Sequence, residues 1–317
     1  MDIGGFRSQL STNLTNTSDT HVTETQNDRR LSLNQNKDGL VPAKNTFGGR
    51  ACAWLRDAGI IRSKDPAMVA FKAALKQEMG NDKLAKQLFK KLDLDNHKPL
   101  TERRIETAAK YFEQVAAVKD DPMLGLMGSK KFLNALFAVD KNIQANNFNT
   151  HGMTTIEKVA VYGYTTSDYG YLNRGLREAG GLGNVQHDGL KSYAQHAVNG
   201  LAKLPDATPD PGKSYKTVER GISGFAGIAE RYQAGKTVTE HAFTSTSEGR
   251  GYDGDWQFTI KSSHGKDVSG LSKYGSEKEI LFPPGTQFQV LHVGTTDARD
   301  PILGVAITAH HVIMKDV

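Results

Sequence analysis

Cysteine is almost absent: Cys52 is the only one in 317 residues. A single thiol excludes an internal disulfide framework and a cysteine-based zinc site, and no metal is expected. Cys52 lies between Ala51 and Ala53, beside Trp54, and is expected to pack as a small apolar residue rather than act as a nucleophile. Long apolar runs are missing too. No stretch reaches the ~18 residues that a membrane-spanning helix needs. The opening MDIGGFRSQL lacks a basic segment followed by an apolar one, so no secretory signal peptide is expected. Asp2 stands where N-myristoylation requires glycine. Charge of one sign is scarce as well. The net charge is +5, with about +6 lying between Arg50 and Lys141. Nucleic-acid binding goes with a concentrated basic stripe and is not expected here. The excess reads as solvated helix faces, with attraction to an acidic partner or anionic lipid as the alternative.

What is present divides into three regions. Residues 1–46 are dominated by Ser, Thr, Asn and Gln and hold few large apolar side chains. Such a segment buries too little surface to offset its ordering entropy, and it is expected to be disordered. Residues 47–150 read as an all-helical module. Asp65-Pro66 supplies an N-cap and a proline at the first helical position. Met68, Phe71, Leu75 and Met79 then recur at helical spacing, as do Leu84, Leu88 and Leu92, then Ile105, Ala109, Phe112 and Val115, then Phe132, Leu133, Leu136 and Phe137. From residue 151 to 317 the pattern is α+β. Helices are expected at 154–162, 169–179, 189–201 and 224–232. Strands are expected at Tyr215–Val218, Ala242–Thr246, Trp256–Ile260, Gln287–Val293 and Val305–Ile313.

Three apparent motifs fail on inspection. Asp93-Leu94-Asp95-Asn96-His97 opens like a calcium loop, but Lys98 and Arg104 occupy the positions that need Gly and Glu. Gly212-Lys213-Ser214 lacks the earlier glycine of a phosphate-binding loop, because that position is Ala207. Gly181-Leu182-Gly183 follows no expected strand and lacks a third glycine.

Three short segments carry the chemistry. In Tyr274-Gly275-Ser276-Glu277-Lys278-Glu279-Ile280-Leu281-Phe282, strand alternation puts Glu277 and Glu279 side by side with Lys278 opposite. Taken alone, the pair also reads as an exposed charged edge. In Thr217-Val218-Glu219-Arg220-Gly221, an arginine at a strand end followed by glycine can hold a phosphate; a plain surface arginine is the other reading. In Ala242-Phe243-Thr244-Ser245-Thr246-Ser247, alternating hydroxyls can bond a polar ligand or simply end a strand.

In this order the three segments resemble the Arg-Ser-Glu family of mono-ADP-ribosyltransferases. Also similar are Tyr162 to Thr166, Tyr171 to Arg177, Val268 to Ser272 and Phe282 to Thr286. The resemblance covers residues 151–317 and implies two packed, mainly antiparallel sheets flanked by helices. It also implies NAD as substrate and transfer of ADP-ribose to arginine side chains. Glu279 would stabilise the ribosyl cation at the 2′-hydroxyl, and Ser245 would position Glu279. Arg220, with Gly221, would bind the cofactor's phosphate or ribose. Phe243, Thr246 and Ser247 would complete the cofactor site. Glu277 would receive the acceptor guanidinium, with weaker help from Tyr274. Glu at position 277, where relatives that modify Asn or Gln carry Gln, points to arginine. Residues 1–46 resemble the secretion leader of bacterial type III effectors; Ile3 fits that pattern and Asp2 departs from it. The partner implied is a host protein bearing an acceptor arginine, modified by a secreted monomer acting in the host cell. An NAD glycohydrolase and an inactive binding module are the alternatives.

Overall fold

The computed structural model describes residues 30–33, 40–42, 65–94, 97–249, 254–299 and 306–317. Cys52, Asp2 and Ile3 lie outside them. The chain forms two compact units that divide between Asp120 and Asp121.

In the first unit, strands β1 (Leu31–Leu33) and β2 (Leu40–Pro42) pair antiparallel. These two short strands are the described part of residues 1–46, apart from Arg30. Leu31 is buried, its N–H donates to the Leu100 carbonyl, and Arg30 pairs with Asp65 at 3.6 Å. One buried leucine and one ion pair anchor a segment whose composition is otherwise polar. Helices α1 (Pro66–Met79), α2 (Asp82–Lys91) and α3 (Glu102–Ala116) follow. Asp65 caps α1, accepting from Ala67 N at 2.9 Å. After α2, Arg104 donates to the Asp93 and Pro99 carbonyls.

The second unit begins with α4 (Pro122–Met127) and α5 (Ser129–Ala145), which lie before the expected boundary at 150. They belong here because α5 packs on α6 (Thr155–Gly163), and α4 packs on α8 (Asp188–Lys203). Thr154 and Glu157 form a capping box on α6, and Lys203 ties α8 to it through Glu157 at 2.7 Å. Between α6 and α7 (Tyr169–Glu178) the chain makes a π-helical turn, Tyr164–Asp168. That turn is fixed from below. Asp168 is almost fully buried and accepts from Tyr193 Oη at 2.9 Å and from Lys131 Nζ.

The strands are β3 (Lys216–Ile222), β4 (Thr237–Thr239), β5 (Thr244–Ser247), β6 (Trp256–Ser262), β7 (Lys266–Asp267), β8 (Glu279–Phe282), β9 (Gln287–Arg299) and β10 (Ala306–Asp316). They form one mixed sheet in the order β4-β9-β10-β6-β3-β5-β8-β7, antiparallel except for β10 beside β6. The two sheets implied by the resemblance are joined at a single pair, Glu219 with Ser247. On either side the pairing is longer: β3 runs along β6 from Lys216 to Ile222, and β5 along β8 from Thr244 to Ser247. Alternation in β6 drives Trp256, Phe258 and Ile260 into a core with Val218, Ile280, Phe282, Phe288, Val312 and Met314. The helix expected at 224–232 shrinks to α9 (Ile228–Arg231), because Gly227 takes a left-handed conformation (φ 84°) just before it. Among the described residues, no helix is long and apolar enough to cross a membrane.

Candidate active site

A cleft of about 730 Å³ opens where β3 and β5 part, within the range of small-molecule sites. Every residue singled out in the sequence lines it: Arg220 and Gly221 from β3; Phe243, Ser245, Thr246 and Ser247 from β5 and its approach; and Tyr274, Glu277 and Glu279 from the segment entering β8. The shared pairing explains the convergence. Ser247 stands opposite Glu219 on one side and opposite Glu279 on the other.

Glu279 is the buried charge of the site, 6% exposed. Ser245 Oγ donates to its Oε1 at 2.7 Å. Burial pushes the Glu279 carboxyl up to about 7; the Ser245 hydrogen bond opposes the rise, and the neighbouring Glu277 charge adds to it. Arg220 is half-buried and makes no hydrogen bond or ion pair among the described residues. A half-buried guanidinium with no partner among the described residues can bind an anionic oxygen. It is not at a strand end, as expected, because β3 continues through Gly221 to Ile222.

The two glutamates come together differently from the sequence expectation. Gly275–Glu277 is a 3₁₀ turn, and Lys278 is left-handed (φ 47°, ψ 56°) before β8 begins at Glu279. Strand alternation therefore does not relate Glu277 to Glu279. The left-handed residue turns the chain between them and leaves Glu277 half-exposed at the cleft mouth while Glu279 goes inside. Lys278 is drawn to Glu248 at 3.8 Å, and Lys216 holds the other oxygen of Glu248 at 2.9 Å. Tyr274 is exposed, with Lys273 Nζ 4.8 Å from its ring centre.

Several lining residues were not assigned a role from the sequence. Asn173 donates to Tyr164 Oη at 3.0 Å and accepts from Phe243 N at 3.1 Å, tying α7 to the approach of β5. Tyr164 is fully buried against the Phe243 ring, centroids 4.9 Å apart, and burial raises its hydroxyl pKa well above the usual value. The charges of Glu279 and Arg220 act on that hydroxyl with opposite signs. Arg177, exposed on the last turn of α7, lines the cleft as a second cation. Glu219 lines it as well, held by Thr259 Oγ1 at 3.0 Å, with its pKa raised by burial. Asn173 and Arg177 lie on the Tyr171 to Arg177 stretch that carried the resemblance. Periodicity along one helix gives no sign of what lies across from it. Among the described residues, no group of His, Cys, Asp and Glu could hold a metal ion.

The family model for NAD:arginine ADP-ribosyltransferases matches residues 70–306. The chain belongs to that family. Among curated relatives of this transferase family, it is 36% identical over 153 residues to the NAD(+)–protein-arginine ADP-ribosyltransferase Tre1 of Serratia proteamaculans, covering 48% of this chain and 32% of that protein. It is 36% identical over 148 residues to the putative NAD(+)–arginine ADP-ribosyltransferase Mav of Mycobacterium avium, covering 44% of this chain and 16% of that protein. The chain thus spans a third or less of the length of these relatives. Among solved structures, it is similar to the type III effector XopAI of Xanthomonas axonopodis pv. citri (18% identity, TM-score 0.40, covering 85% of this chain and 96% of that one). It is also similar to the ADP-ribosyltransferase HopU1 of Pseudomonas syringae pv. tomato (21% identity, TM-score 0.44, covering 56% and 84%). The matched segment starts inside α1, earlier than the resemblance at 151–317.

The Ser245–Glu279 bond makes a testable prediction. Ser245→Ala removes the hydrogen bond that stabilises the ionised Glu279 carboxylate and holds its pKa down, so the acid limb of kcat/KM for nicotinamide release should move to higher pH. At pH 7 the rate should fall about tenfold, the worth of one hydrogen bond to a charged group. A pH–rate profile whose acid limb is unmoved would show that Ser245 does not set the ionisation of Glu279.

Proposed function

We propose that this chain transfers ADP-ribose from NAD to arginine side chains of proteins, releasing nicotinamide. The observation that carries the reading is the buried Glu279, bonded to Ser245 and set in one cleft with the unpaired Arg220 and the half-exposed Glu277. Nicotinamide in NAD is already a cationic leaving group. The remaining barrier is the oxocarbenium-like ribosyl cation, which a buried carboxylate at the 2′-hydroxyl stabilises, as glycosidase carboxylates do. Glu279 takes that role, and Ser245 holds it in place. Arg220, with Gly221, binds the phosphate or ribose, and Phe243, Thr246 and Ser247 form the wall around the nicotinamide end. The acceptor guanidinium is a poor nucleophile because it stays protonated. Glu277 pairs with its N–H groups, orients one nitrogen and takes a proton as the new bond forms. Tyr274 flanks the acceptor. Residues 151–317 hold all of this chemistry.

The partner is a protein with an accessible arginine, modified by a monomer. The polar composition of residues 1–46 supports delivery of the chain from a bacterium into a host cell. Incubation with labelled NAD and host-cell lysate, followed by mass spectrometry of the labelled band, tests the reading. ADP-ribose on arginine is the expected result. Free ADP-ribose alone would replace it with NAD hydrolysis, in which water takes the place of the guanidinium. No turnover of NAD would leave an inactive binding module.

A further inference from the structure

Helix α5 was expected from its sequence to belong to a separate helical module, yet it reaches the segment that carries Glu277. Asn142 Nδ2 donates to the Ser272 carbonyl at 2.7 Å and to the Leu271 carbonyl at 3.3 Å. One turn further along, Asn146 Nδ2 donates to the Gly270 carbonyl at 3.4 Å. Just beyond the helix, the Phe148 side chain lies so close to Gly270 that a β-carbon there would collide with it. Leu271 and Ser272 are buried, whereas Lys273, Tyr274, Ser276 and Lys278 are exposed. Three successive carbonyls are therefore gripped from one side, and beyond them Tyr274, Ser276 and Glu277 line the cleft. From the clamped end the path to Glu277 is short and fully bonded. Ser272 Oγ accepts from Tyr274 N at 3.0 Å, Lys273 N donates to Thr165 Oγ1 at 3.0 Å, and Tyr274 O accepts from Glu277 N at 3.0 Å.

We propose that Asn142 is a positioning residue for acceptor binding: it fixes the base of the Gly270–Glu277 turn so that the Glu277 carboxylate is already in place when a guanidinium arrives. The proposal rests on the reading of Glu277 as the acceptor carboxylate. Asn142 itself does not line the cleft. Its two hydrogen bonds go to backbone carbonyls and are lost when the side chain is shortened to alanine. A turn with a left-handed lysine at its end (φ 47°) holds a conformation that the backbone alone disfavours, so it needs such outside support. Preorganisation of this kind acts on the binding of the group being positioned and leaves the chemistry at Glu279 alone.

The test compares the full chain with Asn142→Ala, Asn146→Ala and Glu277→Gln, using agmatine as acceptor, with and without which nicotinamide release is followed. Asn142→Ala should raise the KM for agmatine about tenfold and leave NAD hydrolysis in its absence within about twofold. Asn146→Ala, which loses one longer and more exposed bond, should do less. Added to Glu277→Gln, Asn142→Ala should have little further effect on transfer, because its route runs through that carboxylate. Equal losses of hydrolysis and transfer, or additive losses in the double variant, would overturn the proposal. Hydrogen exchange of the peptide spanning Gly270–Lys278 gives a reading that does not depend on the acceptor. Its amides should exchange about tenfold faster in Asn142→Ala, while those of β3 and β5 keep their protection. Unchanged exchange would also overturn the clamp. Failure of the wild-type chain to modify agmatine, with exchange behaving as stated, would instead remove the arginine reading and leave the clamp standing.

Discussion

Glu279→Gln should lose nicotinamide release by about 100-fold or more and, at pH 8, should be more stable than the parent. The two effects have one cause. Glu279 has its carboxyl raised to about 7 from 4.5, with burial the largest contribution. A carboxyl whose folded value is raised stabilises the fold only while it is protonated. Its contribution is fully present below pH 4.5 and is lost as pH rises through 7. Ionisation above pH 7 therefore costs the folded state about 3 kcal/mol, from a shift of about 2.5 units. The amide has the same shape, never ionises, and can still accept from Ser245. The gain should be absent at pH 4, grow between pH 4.5 and 7, and level off above, appearing as a rise of several degrees in Tm. Thermal denaturation of both proteins across pH 4–9 reads it. A variant that is inactive and less stable at pH 8 would mean that the carboxylate is well solvated and not held under strain.

Glu277→Gln should separate two reactions that share one cofactor site. The amide nearly keeps the shape but removes the charge facing the guanidinium and cannot act as a base. Transfer to agmatine should fall by about 100-fold, the loss of a charge-assisted pair together with its proton acceptor. NAD hydrolysis should survive, because in the proposed mechanism it rests on Glu279, Ser245 and Arg220. It should also change in pH dependence. The Glu277 charge helps to raise the Glu279 carboxyl, so its removal should shift the acid limb of hydrolysis to lower pH. A variant that loses both reactions equally would place Glu277 in the cofactor site. A variant that keeps full transfer would remove the basis for arginine specificity.

The cleft was legible in the sequence because its chemistry sits on short runs whose order survives folding. Arg220, the Phe243–Ser247 run and the Tyr274–Glu279 turn are far apart along the chain, yet β3, β5 and β8 are neighbours in the sheet. Strand alternation in β6 and the proline-led cap of α1 were legible for the same local reasons. What escaped was decided by tertiary contact. The grip of Asn142 on Ser272 spans residues whose separation no periodicity reports. Asn173 links Tyr164, nine positions before it, to Phe243, 70 positions after it. The π-helical turn at Tyr164–Asp168 depends on a carboxylate buried against Tyr193 and Lys131, a cost that only those partners offset. The relation between Glu277 and Glu279 was misjudged because a non-glycine residue, Lys278, adopts a left-handed conformation that composition does not announce. The pairing of Leu31–Leu33 with Leu40–Pro42 escaped because the sequence around it is polar, and Leu31 bonds to distant Leu100.

The most direct measurement is the stoichiometry of nicotinamide release against modified agmatine, by mass spectrometry, for the full chain with NAD. The account predicts an agmatine product heavier by one ADP-ribose on its guanidine group, with close to one nicotinamide released for each product formed when agmatine is saturating. Nicotinamide release that is indifferent to agmatine, with no modified guanidine at any concentration, would contradict it.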